Sequence, residues 1–221
     1  MIVYYSCTGK YFCEKPEQLS GCLFENLKTE QSYVKCPSFQ EYIKNTFVIR
    51  SNFDYRFGWD KNDKNFKSDM YDQNFFNSYV RPRNSNTGLV TYIDPPIIFF
   101  SEKSLEISLI PAFFHNTFNR HVVIPGTFNI GKHFRKLESA IHFFHPDIIE
   151  IKEKDPLYYV KFHTEEKITF KSFLFTEKLK TFQGYFSPKK EYTQKITPLK
   201  WYYEHNMSKA ILKEIKNNLM E

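Results

Sequence analysis

Glycine is scarce, with 7 in 221 residues, and the chain holds neither GxGxxG, nor GxxxxGK[ST], nor Gly-x-Ser-x-Gly. That excludes the glycine-built phosphate loops and the nucleophile elbow of α/β-hydrolases. No run approaches the roughly 18 consecutive apolar residues that a membrane-crossing helix needs. The opening Met1-Ile-Val-Tyr-Tyr-Ser shows neither the basic nor the apolar part of a leader, so a soluble protein without a membrane partner is expected. Arginine is scarce too, 6 against 25 lysines, and no dense basic run exists. The net charge of +6 therefore reads as a solvated lysine-rich face, and nucleic acid is not the favoured partner. The four cysteines, Cys7, Cys13, Cys22 and Cys36, contain no CxxC pair, whereas structural zinc sites bring their ligands in close pairs. Free thiols are expected, with disulfides or a four-cysteine metal site as the alternatives.

What is abundant is aromatic: 24 Phe and 15 Tyr, rings that suit a pleated surface. The fold class expected is mainly β, an antiparallel sandwich or β-clip-like barrel with a short N-terminal helix and a long C-terminal helix. Residues 2–5, 46–50, 97–100, 104–110 and 167–175 read as strands, and 53–59 alternates apolar and polar residues as one arm of a hairpin. Ser38 and Glu41 have capping-box spacing, which places a short helix over 38–45. The most ordered stretch is 122–162. There Ile124-Pro125-Gly126, His145-Pro146-Asp147 and the charged turn ending in Asp155-Pro156 separate short apolar strands. Residues 60–86 are rich in Asp, Asn, Lys and Ser without a clean period, and predict a loop excursion from a β-rich domain spanning 1–196. Beyond it, Thr197 and Pro198 begin a helix over 197–221, whose Leu199, Tyr203, Met207, Ile211, Ile215 and Leu219 recur every four residues. That stripe suits packing on the sheet or, alternatively, a homo-oligomer contact.

Few residues are candidates for chemistry. His145 and Asp147 have the His-x-Asp spacing that resembles the metal motif of non-haem iron oxygenases, whose third ligand is a later histidine. His205 fills that place here, so this alternative carries Fe(II) held by His145, Asp147 and His205. No other cofactor is expected. His142 and His145, three apart on a strand, face opposite ways. His115 and His121 flank a Phe- and Asn-rich loop and read as surface or hydrogen-bonded core groups.

The order of turns and strands in 122–162 resembles the β-clip fold of the dUTPase and dCTP-deaminase group, with 153–159 in the place of that group's turn-strand. Ile124-Pro-Gly-Thr-Phe-Asn129 lacks the aspartate those enzymes use near this turn, so the resemblance implies fold more than nucleotide hydrolysis. Cys36-Pro-Ser-Phe39, Lys44-Asn-Thr-Phe-Val-Ile-Arg50, Ile124-Pro-Gly-Thr-Phe-Asn-Ile-Gly131 and Asp155-Pro-Leu-Tyr-Tyr-Val-Lys-Phe162 resemble uncharacterised proteins of large tailed bacteriophages. That resemblance implies a viral accessory protein in the cytoplasm of a bacterial host. The favoured reading is a non-catalytic protein that binds a host or viral macromolecule through residues 60–86 and 113–120. The other readings are a nucleotide-active β-clip relative, the iron oxygenase and a homo-oligomeric structural component.

Overall fold

The computed structural model describes residues 1–8, 14–26, 35–82, 90–93, 97–115, 120–137, 139–145, 148–185 and 207–220. Among the described residues the chain is mainly β, in four mostly antiparallel sheets, none of which closes on itself. The five-stranded sheet runs β11 (Gly126–Asn129), β9 (Glu106–Ile110), β14 (Pro156–Phe162), β3 (Thr46–Arg50), β2 (Glu17–Gln18). The four-stranded sheet runs β10 (His121–Val123), β12 (Ser139–Phe143), β7 (Val90–Ile93), β6 (Val80–Pro82). One three-stranded sheet is β13 (Ile149–Ile151), β4 (Tyr55–Asp60), β5 (Asn65–Ser68). The other is β15 (Thr169–Ser172), β1 (Ile2–Cys7), β8 (Ile97–Phe100), in which β1 and β15 run parallel.

The sheets enclose an aromatic core. Phe57 meets Phe66 and Phe143 edge-on at centroid distances of 5.2 and 5.8 Å, and Phe47 does the same to Phe162 and Phe170 at 5.5 and 4.8 Å. Burying each such ring stabilises the fold by about 1.5–3 kcal/mol, and the edge-on geometry suits the ring quadrupoles. Two sheets are covered on their second face as well. Helices α1 (Leu19–Asn26) and α2 (Pro37–Ile43) bury Leu19, Leu23 and Ile43 against Val48 and Tyr159 of the five-stranded sheet. This is why β3 and β14 read as continuous apolar runs rather than alternating ones. In β14 the register shifts between Pro156 and Tyr158, so that Leu157 and Tyr158 both enter the main core while Tyr159 turns to the helices.

Helix α2 starts at Pro37, one residue before the expected Ser38, because Cys36 is the N-cap and proline is preset for the first helical position. Its exit is made by Asn45, whose φ of 52° suits asparagine and whose amide donates to the carbonyls of Thr164 and Glu166 at 2.7 and 2.9 Å. The stretch expected as a loop excursion is folded as far as residue 82. It contains β5, α3 (Gln73–Tyr79) and β6, and it places Phe66 and Phe76 in the core. The Asp72 carboxylate caps α3 by accepting from the N–H groups of Asn74 and Phe75.

At the C-terminus, α4 (Glu177–Tyr185) and α5 (Met207–Asn217) pack Leu179, Met207, Ile211 and Ile215 on Tyr4, Ile98 and Phe100. The apolar stripe of the expected long helix is thus used within the chain, but the helix is shorter where it is described. It stops at Asn217, after which Leu174 N–H bonds the Asn218 carbonyl and Met220 N–H bonds that of Ser172, so Leu219 lies in a bridge to Phe173. Leu199 and Tyr203 lie outside the described residues. Free thiols are found at Cys22 and Cys36, whereas Cys7 is disulfide-bonded, which corrects the expectation for that residue and removes the four-cysteine metal site.

Candidate ligand-binding cavity

β10 is only three residues long, and its alternation sends His121 and Val123 inward and Val122 toward the surface. His121 pairs with Phe143 across the β10–β12 ladder and lies with its ring centroid 5.6 Å from that of Phe143. Its side chain is 3% exposed, yet neither ring nitrogen has a hydrogen-bonding partner among the described residues. A buried polar group left in this state costs about 1–3 kcal/mol. Burial pushes the imidazole down to about 4; the Arg120 charge adds to this, while Asp155 and the Leu157 backbone oppose it, the latter outside hydrogen-bond geometry. At neutral pH the ring therefore offers one N–H donor and one lone pair.

His121 opens on a cavity of about 320 Å³, also lined by Arg120, Phe143, His145, Ile148, Ile149 and Glu150. That volume is at the lower end of the roughly 300–1,000 Å³ typical of small-molecule sites. Arg120 immediately precedes β10, is exposed, and has no ion-pair partner among the described residues, while its carbonyl accepts from Phe144 N–H at 3.2 Å. Glu150 faces Arg56 across the β13–β4 ladder and pairs with its Nε at 3.6 Å. Phe143 and Ile149 come from strands and are buried, so one wall is apolar and fixed; Ile148 and His145 are exposed at the mouth.

Of the residues singled out for iron, His145 stands at this mouth, while Asp147 and His205 lie outside the described residues. Among the described residues no group of three or more His, Cys, Asp and Glu side chains is placed to hold a metal. His142 lies in β12 and its ring meets Phe144 at 5.3 Å, whereas His145 follows the strand end. His121, expected as a surface or hydrogen-bonded core group, is instead buried with neither ring nitrogen partnered among the described residues. Its signal was the His-Val-Val alternation, which already puts it on the face of the buried Val123.

Two other polar groupings are internally satisfied. Arg50 donates from Nε and Nη2 to one Glu17 oxygen at 3.2 and 2.7 Å, and from Nη1 to the Lys154 carbonyl at 3.0 Å. It also reaches Cys22 Sγ at 3.6 Å, a thiol that burial, with Glu17 beside it, pushes up to about 12, far from a reactive thiolate. Next to it, Tyr159 Oη meets His115 Nδ1 at 2.7 Å and accepts from Phe114 N–H at 3.1 Å. On the exposed face of the five-stranded sheet, Ser108 Oγ lies 2.7 Å from both His163 Nε2 and Thr127 Oγ1. No carboxylate orients the His163 ring among the described residues, so the third member of a hydrolytic triad is not in place there.

Compared with known proteins, the chain matches no protein-family model, and no curated protein is similar to it.

Proposed function

We propose that this is a non-catalytic binding protein that takes a small ligand into the cavity floored by His121. The observation that carries the reading is the cavity itself, about 320 Å³, walled by the buried Phe143 and Ile149 and edged by the exposed Arg120, His145 and Ile148. A thermal-shift screen of small molecules against the wild type and Ile148→Trp, a substitution at an exposed lining residue that fills the cavity, tests it. Compounds that raise the melting temperature of the wild type but not of the variant are expected. If every stabilising compound acts equally on both, the cavity is not the site.

A second reading, contact with a host or viral macromolecule, is favoured by the exposed Met70, Phe75 and Phe113, which lie in the two stretches expected to form that surface. Tyr71, Phe75 and Tyr79 form a continuous aromatic row there, with centroids 5.4 and 5.1 Å apart. Under this reading Phe75→Asp abolishes a defined, stoichiometric complex while leaving the melting temperature unchanged. The setting in a bacterial host's cytoplasm, like kinship with the β-clip group, is supported by the sequence resemblances alone. No helix among the described residues is long and apolar enough to cross a membrane.

A further inference from the structure

We infer that the aromatic row on the exposed side of α3 receives an extended polypeptide segment rich in arginine or lysine, whose cations lie over the rings of Tyr71 and Phe75 beside the carboxylates of Asp54 and Asp72. This deepens the second reading above, contact with a macromolecule, and rests on it.

The row follows from local spacing. Tyr71, Phe75 and Tyr79 recur every four residues and so share one side of α3, Tyr71 standing just before the Asp72 cap, while Phe76 turns to the core. The ring planes are tilted by 42° and 49° along the row, and Phe53 continues it 5.5 Å from Tyr79. Met70 is 48% and Phe75 38% exposed, so the patch is open to a partner. Contiguous apolar surface rimmed by polar residues marks a contact site.

The rim sets the sign of that partner. Residues 68–80 carry Asp69 and Asp72 and neither lysine nor arginine. Tyr71 Oη donates to the Asp54 carbonyl at 2.8 Å, and burial, then the Asp54 carboxylate, hold this phenol above its ordinary range, so the charge that acts on the ring is negative. Arg56, the cation bonded to this stretch, is already held by Asp69 and Glu150 at 3.5 and 3.6 Å. Asp54 accepts from Glu153 N–H, and Asp72 from Asn74 and Phe75 N–H. A carboxylate bonded to neutral donors keeps its charge. Exposed rings also suit the bases of a nucleic acid, but its phosphates would then face Asp54, Asp69 and Asp72. A cation is drawn by ring face and carboxylate together, and a guanidinium lies flat on a ring, which favours arginine over lysine. The net charge of +6 sharpens the contrast, because a basic segment is repelled by the molecule as a whole and held only where the field is locally negative.

The test is calorimetry and NMR of the full chain with ring-¹³C tyrosine, the Tyr71 signals being assigned by their loss in Tyr71→Phe. The probes are short peptides alternating glycine with arginine, with lysine or with glutamate, and an oligothymidylate. The arginine peptide is expected to shift the Tyr71 signals, to bind more tightly than the lysine peptide, and to weaken with added salt. Phe75→Ala and Asp72→Asn should each lower its affinity about two- to fivefold. The melting temperature should hold in Asp72→Asn, because asparagine keeps the helix cap. If the glutamate peptide or the oligothymidylate moves Tyr71 and binds as tightly as the arginine peptide, the basic assignment falls while the contact surface stands. If the arginine peptide binds without moving Tyr71 or is indifferent to Phe75→Ala, the row is not its site, and the assignment falls together with the role of the row in the second reading. If no probe moves Tyr71, the basic assignment falls, and the second reading is decided by Phe75→Asp alone.

Discussion

His115 and His121 lie close together in the chain, and burial holds both imidazoles below their ordinary range, yet their surroundings differ in kind. His115 is half-buried, bonds Tyr159 Oη at 2.7 Å and sits beside the Arg50–Glu17 pair, where each polar group has a partner. His121 is more deeply buried and has none. The first arrangement is what a fold uses to hold a helix layer on a sheet. The second costs the fold free energy and is found in a residue that lines a cavity.

The largest expected effect that would break this comparison is a pH dependence. The His121 ring has a folded pKa of about 4 against an ordinary 6.5, so the unfolded chain takes up the proton first. Stability is then intact above about pH 6.5 and falls as the pH drops toward 4, by about 3 kcal/mol from this residue. Urea denaturation across that window should show the loss in the wild type, and the His121→Phe protein should lack that component. Equal slopes in the two proteins would mean that His121 is not buried as described.

Next in size is Tyr159→Phe, which strips His115 Nδ1 and Phe114 N–H of their partner and should lower stability by about 1–3 kcal/mol in denaturant titrations. The same class of change at the other ring runs the opposite way. His121→Phe at pH 7 should raise stability by about 1 kcal/mol, because an unpartnered polar group is replaced by a ring of similar shape. If both substitutions destabilise equally, the contrast between the two histidines is void. The smallest effect is that of Arg56→Ala. Its pairs with Asp69 and Glu150 are exposed, so stability should change by less than about 1 kcal/mol.

Strands whose pattern is local were legible in the sequence. Thr46–Arg50 and Ile97–Phe100 are found with the expected bounds, and the turns of 122–162 that can be compared do separate strands. The buried face of α5 at Met207, Ile211 and Ile215 was legible for the same reason, since a four-residue repeat survives any tertiary context. Helices α1, α3 and α4 were not, being short segments whose formation depends on the sheets they cover. Residues 60–82 misled because their aromatic residues enter the core singly, Phe66 from a hairpin and Phe76 from α3, without a shared period. The cavity was the least legible feature. Its lining joins β10, the end of β12 and β13, and only the packing of β10 shows that His121 is buried without a partner among the described residues.

The place of β1 sets a timetable for the protein's birth. Val3, Tyr4 and Tyr5 belong to a strand flanked on one side by β8 and on the other by β15, through pairings such as Tyr4 with Phe100 and Ile2 with Thr169. A ribosome adding about 5–20 residues per second needs on the order of ten seconds or more to deliver the second of these neighbours. During that interval β1, made before both its neighbours, keeps an apolar edge open to any other chain nearby. The nascent protein should therefore be a client of chaperones that bind early, extended, aromatic segments, and its yield should depend on them more than its final stability suggests.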